Sequence, residues 1–299
     1  MSEVFGQGGA GFAAGSRVGG YLLEEQVGHG VMAVVFRALD DRLGRQVALK
    51  IMVPRLAADE MFRRWFIKES RIAATAVSHP HIIPVFEVGE ADGALFVAMR
   101  YVRGGDVRSL LSRDGALAPI RVAAIVSPIA AALDAMHGAR LVHRDVKPSN
   151  ILLDVSSGRP AHIYLSEFGA GKEEALDPVM LTMTGQYRGT FDYAAPERIQ
   201  GGPLGPQADQ YAFGCAAFEM LCGVPPFRRD QAIAVLHAHL KEPPPPVPSM
   251  RAGLPADLDL VFARVLAKSP QDRYRSCQEF SNALRIALGI AAYDPESCL

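Results

Sequence analysis

Through the first hundred residues the hydrophobic positions come in short runs rich in β-branched and aromatic side chains. "YLLEEQV", "AVVFRAL", "QVALKIMV", "IIPVFEVG" and "ALFVAMRY" are separated by Gly, Asp or Pro, and they predict strands. One stretch departs from this texture. "DEMFRRWFIKESRIAATAV" places Phe62, Trp65, Phe66, Glu69, Ile72 and Ala73 at i, i+3, i+4 spacing, which predicts one helix within a small sheet. After "RGGD", Arg103 to Asp106, the period becomes helical. Val122, Ile125, Val126, Ile129, Leu133 and Met136 form a single stripe that ends near Gly138, with Pro128 placed to bend the helix. "QADQYAFGCAAFEMLCG" is apolar almost all round and predicts a helix buried in the middle of a larger lobe. "EPPPPVP", Glu242 to Pro248, reads as an extended connector before a last helical stretch ending near Leu288.

The two ends read differently. Residues 1–16, rich in Gly and Ala, offer too little apolar surface to offset chain entropy and predict a flexible tail; 289–299 read as a second, frayed one. Neither end resembles a signal peptide, and no uninterrupted apolar run reaches the roughly 20 residues of a spanning helix. The expected setting is therefore cytoplasmic, with no membrane segment.

Charge narrows the function classes. Lys plus Arg number 31 against 32 acidic residues, so a net charge of −1 provides no field for nucleic acid. Cys215, Cys222, Cys277 and Cys298 lack metal-type spacing and read as reduced residues. The H-x-H pairs His79/His81 and His237/His239 have no neighbouring acids or thiols to complete a metal site, and read as loop and helix-surface residues.

Three stretches carry candidate chemistry. "VGHGVMAVVF" is a glycine-rich hairpin, Gly28-x-Gly30-x-x-Ala33, that would let amides approach phosphate, though a plain turn explains it equally well. Lys50 ends "VALK", and Glu69 on the apolar stripe needs a cation, for which Lys50 is the obvious partner and an ordinary surface pair the plain alternative. "HRDVKPSN" combines an acid, a cation and a carboxamide of the kinds that phosphoryl transfer requires: Asp145 to orient a hydroxyl, Lys147 to neutralise phosphate and Asn150 to hold a metal.

With "SEFG", "AAPE" (Ala194 to Glu197), Asp209 in the buried helix and Arg273 in "SPQDRY", these stretches make the chain similar to the eukaryotic-type (Hanks-type) Ser/Thr protein kinases, in their bacterial branch. The resemblance covers about residues 19–288. It implies an α+β, bilobal protein-kinase-like fold over 17–288, with an N-lobe at 17–99, a hinge at 100–105 and a C-lobe at 106–288. Catalytic roles would fall to Asp145, Lys147, Lys50, Glu69 and Thr190. ATP would meet Val27, Gly28, Gly30, Val35, Ala48 and Lys50, then Met99, Arg100, Val102, Asp106 and Leu152. Asn150 and Glu167 would hold Mg²⁺ or Mn²⁺, and Thr182 and Thr184 would be phosphorylated. Arg144 beside Asp145 implies control by such a phosphate, and Glu197 would pair with Arg273 as a structural link. Expected partners are protein substrates, proteins that read phosphothreonine, and a second copy for autophosphorylation.

The main departure is Glu167, where the family has aspartate. Glutamate keeps the charge and the oxygen donors, but its extra methylene moves the carboxylate by about 1.5 Å in a site with strict octahedral demands. Two readings follow: a kinase with altered metal geometry, or a pseudokinase that binds nucleotide or a partner without transfer.

Overall fold

A computed structural model describes residues 12–30, 32–155, 161–166, 191–291 and 293. They form two compact units, one reaching to Val102 without Val77–Ile82, the other made of Val77–Ile82 and the chain from Arg103 onward.

The first unit is a six-stranded sheet in the order β1-β2-β3-β4-β6-β5, with every pair antiparallel. Its strands are β1 (Arg17–Val18), β2 (Tyr21–His29), β3 (Ala33–Asp40), β4 (Arg45–Met52), β5 (Val85–Ala91) and β6 (Ala94–Arg100). In β4, buried Val47, Leu49 and Ile51 alternate with half-exposed Ala48 and Lys50, the two-residue period of a strand with one covered face. β6 is buried from Ala94 to Met99 without alternation, which is why its sequence is an unbroken apolar run. The β5–β6 hairpin turns on Asp92 and Gly93 at φ of 52° and 75°, the left-handed pair that a two-residue Asp-Gly turn favours.

Helix α1 (Glu60–Ala76) buries Phe62 and Phe66, whereas Ile72, expected on the same stripe, is 38% exposed. At 100° per residue Ile72 lies about 120° around the helix from Phe66, beyond a face that narrow. Part of the expected flexible tail is also built into the sheet. Gly15 N–H donates to Leu23 O (2.8 Å), Leu23 N–H donates to Ser16 O (2.9 Å), and Phe12 packs against the core, supplying the apolar anchor that the Gly/Ala composition concealed.

The second unit contains α2 (Val107–Asp114), α3 (Pro119–Gly138), the hairpin β7 (Ile151–Asp154) and β8 (His162–Leu165), α4 (Pro206–Cys222), α5 (Ala232–Lys241), α6 (Asp257–Val265) and α7 (Cys277–Ala287). α4 is buried from Ala208 to Leu221, matching its all-round apolar sequence. α3 is long and apolar enough to suit a membrane span, yet most of its side chains between Val122 and Met136 are buried in this unit's core. Asp134 of α3 accepts the N–H groups of Cys277 (2.8 Å) and Gln278 (2.9 Å), satisfying the first turn of α7. Gly104 packs so closely on β7 that a Cβ there would lie 2.0 Å from Leu153 O, while Gly105 O accepts the Leu153 N–H (2.9 Å).

One side chain expected at the surface sits in the core. His237 is exposed, but its neighbour His239 is fully buried, with Nδ1 2.9 Å from Tyr211 Oη. Both lie on α5, where side chains two residues apart point about 200° apart, so H-x-H spacing splits them between solvent and core. His81 and His162 stack at 4.7 Å, and each ring bonds a backbone carbonyl, Ile163 O (2.9 Å) and Pro80 O (2.8 Å) respectively. Cys215, Cys222 and Cys277 are free thiols; Cys298 lies outside the described residues.

Candidate active site

The stretch from His143 to Asn150 follows α3, closes in one 3-10 turn (Pro148–Asn150) and feeds β7. Its backbone is fixed by Asp209, a 1% exposed residue in the first turn of α4. The Asp209 carboxylate accepts N–H groups from His143 (Oδ2, 2.7 Å) and Arg144 (Oδ1, 2.7 Å), and also binds His137 Nε2 (2.8 Å). Arg144 adopts φ of 66°, a left-handed conformation costing a non-glycine residue about 1–2 kcal/mol. Two charge-assisted bonds from Asp209 offset that cost, and Arg198 Nη1 donates to Arg144 O (2.7 Å) from the other side.

The ring of His143 has a defined tautomer. Asp145 N–H donates to its Nδ1 (3.3 Å), so Nε2 carries the proton and donates to Ser166 O (2.9 Å). Ser166 in turn donates its N–H (2.9 Å) and Oγ–H (3.1 Å) to Asn150 O. Residue 166 is thereby tied to both ends of the loop.

Asp145 is 6% exposed, and its carboxylate is surrounded by donors. Lys147 Nζ lies 3.0 Å from Oδ1 and 2.9 Å from Oδ2. Asn150 Nδ2 donates to Oδ2 (2.9 Å) and to the Asp145 carbonyl (2.7 Å). A buried carboxylate held this way is aimed, as is needed to accept or orient a hydroxyl proton. A cavity beside it is lined by Arg144, Asp145, Lys147, Tyr193, Arg198 and Leu204, among others.

The donor chemistry suits magnesium on the Asn150 side. With Nδ2 committed to Asp145, the residue presents its carboxamide Oδ1, a neutral hard oxygen of the type magnesium takes. Glu167, the other expected ligand, lies outside the described residues, as do Thr182, Thr184 and Thr190.

The remaining predicted residues divide between the units. In the first, Val35, Ala48 and Lys50 are half-exposed on alternate positions of paired strands, with Val35 opposite Lys50 and Ala48 opposite Met99. Arg100 pairs with Val47, and Val102 closes the unit. Val27 is 45% exposed; Gly28 pairs with Val35 so closely that a Cβ there would sit 3.3 Å from the Val35 Cβ. Gly30 N–H donates to Ala33 O (2.8 Å), and Ala33, in place of the third glycine, is buried at the start of β3. The Glu69 side chain lies outside the described residues, so its pairing with Lys50 is not described. In the second unit Asp106 and Leu152 form a β-bridge, and Asp106 Oδ1 caps α2 by accepting Ser109 N–H (2.7 Å).

The Glu197–Arg273 link is present: Nη1 and Nη2 of the fully buried Arg273 side chain meet the carboxylate at 2.7 and 2.8 Å. Several positioning residues had no signal in the sequence. His137 bonds the Asp209 carboxylate, Ser166 ties Asn150 O to the His143 ring, and Arg198 donates to Arg144 O; neither spacing nor periodicity marks them.

Residues 21–283 match the family model described as "Protein kinase domain". The chain belongs to the protein kinase family, in its bacterial Ser/Thr branch. It is 41% identical over 280 residues to the Serine/threonine-protein kinase PknE of Mycobacterium tuberculosis, covering 94% of this chain and 48% of that protein. It is 42% identical over 289 residues to PknF of the same organism, covering 95% of this chain and 59% of PknF. It spans about half the length of such relatives. The crystal structure of the M. tuberculosis PknI kinase domain superposes with a TM-score of 0.73 at 34% identity, over 93% of this chain and all of that one.

Proposed function

We propose that the chain transfers the γ-phosphate of ATP to serine or threonine hydroxyls of proteins and is activated by phosphorylation of its own Thr182 and Thr184. The observation that carries this reading is the Asp145 carboxylate, buried and held at once by Lys147 Nζ and Asn150 Nδ2. Asp145 would orient the acceptor hydroxyl and take up its proton as the new P–O bond forms. Lys147 would balance the charge of the transferring group, and Lys50 would bind the nucleotide phosphates. Magnesium, when bound by Asn150 and Glu167, supplies neutralisation of phosphate charge. Protein substrates, phosphothreonine-reading proteins and a second copy of the chain would be the partners, in a cytoplasmic setting.

Glu167 sets the rate in this reading. A carboxylate displaced by about 1.5 Å costs on the order of a hundredfold in transfer while leaving nucleotide binding largely intact, and manganese tolerates the geometry better than magnesium. The test is incubation of the purified chain with ATP and Mg²⁺ or Mn²⁺, followed by mass spectrometry of Thr182 and Thr184. Phosphate on either residue, absent in Asp145→Asn, supports the kinase reading. An unmodified wild type whose Glu167→Asp variant gains transfer supports a pseudokinase instead, and the absence of any ATP-induced change in melting temperature sinks both.

A further inference from the structure

One bond away from the Asp209 anchor, where α3 meets α7, three side chains with metal-binding atoms converge. Asp134 and His137 stand one turn apart on the same face of α3, and Cys277 is the first residue of α7. A carboxylate oxygen, a ring nitrogen and the thiol sulfur all lie within 4.8 Å of one another. Nothing in the transfer chemistry calls for this set.

The histidine is already oriented as a ligand. Because the Asp209 carboxylate can only accept, His137 Nε2 carries the proton in the 2.8 Å bond between them. In the neutral ring Nδ1 is then a lone pair, and it lies 4.0 Å from Asp134 Oδ1, too far for a hydrogen bond. The His137 side chain is only 10% exposed, so that lone pair meets little water. A ring N–H resting on a carboxylate is also the arrangement by which proteins fix the tautomer of a metal-binding imidazole and raise the basicity of its other nitrogen.

The other two donors are equally fixed. Asp134 accepts the N–H groups of Cys277 and Gln278, one on each oxygen, which pins the carboxylate and leaves each oxygen a further lone pair. The Cys277 thiol is buried, and burial, followed by the charges of Asp134 and Asp209, pushes it well above its ordinary range. It therefore keeps its proton until a cation displaces it.

We infer that Asp134, His137 and Cys277 form a zinc site, with water as the fourth ligand. Imidazole and thiolate suit zinc and not magnesium, which takes oxygen donors, so the ion that accompanies ATP does not compete here. On binding, the S–H bond breaks, a bond from sulfur to zinc forms, and the proton leaves to solvent past Asp134, whose side chain is 27% exposed. Carboxylate and thiolate together cancel the charge of the ion, so no net charge is buried. The ion clasps α3 to the start of α7 and holds the His137 Nε2–H on Asp209, which in turn fixes the His143 and Arg144 amides. None of this depends on phosphate transfer.

Co²⁺ provides the direct probe, because its bond to a thiolate absorbs in the near ultraviolet. The purified chain, reduced and freed of metal by a chelator, is titrated with Co²⁺ and then with Zn²⁺ in a buffer containing Mg²⁺. The absorption should saturate at one equivalent and disappear as Zn²⁺ displaces the probe. Cys277→Ala should abolish the band, whereas Cys222→Ala and Cys298→Ala should keep it. His137→Gln, which retains a donor for Asp209, should keep the thiolate but weaken binding at least about tenfold, and Cys277→Ala should weaken Zn²⁺ binding at least about a hundredfold in competition with a chromophoric chelator. Excess Zn²⁺ should raise the melting temperature of the wild type and not of Cys277→Ala. Should His137→Gln fail to fold, Cys277→Ala and its volume-conserving counterpart Cys277→Ser decide. The inference is overturned by the absence of a band at stoichiometric Co²⁺, by a band that survives Cys277→Ala, or by Zn²⁺ affinity that is the same in wild type and the Cys277 variants. No ATP enters these measurements, so their failure leaves the kinase reading where it stood.

Discussion

Asp209 holds Arg144 in a left-handed backbone conformation by accepting its N–H at 2.7 Å, and the same carboxylate fixes the preceding His143 N–H. A helix buried in the core thus sets the course of the loop that carries Asp145.

Asp209→Ala removes the acceptor for two buried N–H groups and for His137, so unfolding free energy should fall by about 3 kcal/mol. Transfer should fall further than stability requires, because Arg144 is released from φ of 66°. Urea titration and a transfer assay below the melting range separate the two effects. Asp209→Asn, which keeps one acceptor oxygen, should lose less of both.

Asp145→Asn keeps the volume and one oxygen of the side chain but removes the charge that Lys147 and Asn150 surround. Phosphate transfer should drop by about 10²–10⁴-fold. The ATP-induced rise in melting temperature should persist, since the change addresses the hydroxyl and not the nucleotide. Differential scanning fluorimetry beside a radiolabel assay checks both halves.

Gly104→Ala places a methyl carbon 2.0 Å from Leu153 O, a backbone atom that cannot turn aside. The chain must part from β7, and the loss should be at least about 2 kcal/mol. By contrast Gly115→Ala meets no atom within 4 Å, and its cost is limited to the strain of φ at 70°. Melting temperatures of the two variants should differ accordingly.

Two buried groups pull the acid stability of the fold in opposite directions. Burial, and after it the charge of Lys268, holds His239 down to about 3 from an ordinary 6.5, while the backbone of Asp192 and Phe191 acts the other way. Below 6.5 the unfolded chain takes a proton that the folded one refuses, so this contribution, complete above 6.5, is lost as pH falls toward about 3. Asp192, raised from 3.8 to about 6 by burial and by the charge of Glu219, keeps a proton when folded that it yields when unfolded, so its contribution is present below 3.8 and lost as pH rises through about 6. Asp192→Asn should therefore steepen the loss of stability on acidification in the overlapping window, by less than the roughly 1.4 kcal/mol per pH unit of one fully linked proton. Denaturant titrations at several pH values across it give the slope; a slope unchanged or shallower than wild type contradicts the assignment.

The strands β2, β3, β4 and β6 and the helices α1, α3 and α4 were legible because each buries one face, or all faces, and the apolar period records which. The cluster at His143 to Asn150 was legible because an acid, a cation and a carboxamide stand within a few residues, and Asp145, Lys147 and Asn150 do meet. What stayed hidden joins distant positions. Arg108 and Glu219 are 111 residues apart, and nothing near either one shows that a surface cation reaches a buried acid. Burial that depends on a neighbouring element was equally invisible: His239 reads like its exposed neighbour His237 until Tyr211 and Phe227 are packed against it. Likewise, residues 12–16 gain order from β2, not from their own composition.

Ser166 gives Glu167 a fixed point of departure. Because its amide and hydroxyl both rest on Asn150 O and its own carbonyl receives His143 Nε2, the chain leaves for position 167 from the same frame that carries Asn150. A frame of that kind acts as a gauge that ends at Ser166, one residue short of the glutamate. Exchanging glutamate for aspartate at 167 changes side-chain length by one methylene group and leaves the bonds of Ser166 to Asn150 and His143 untouched, so the comparison isolates that one group.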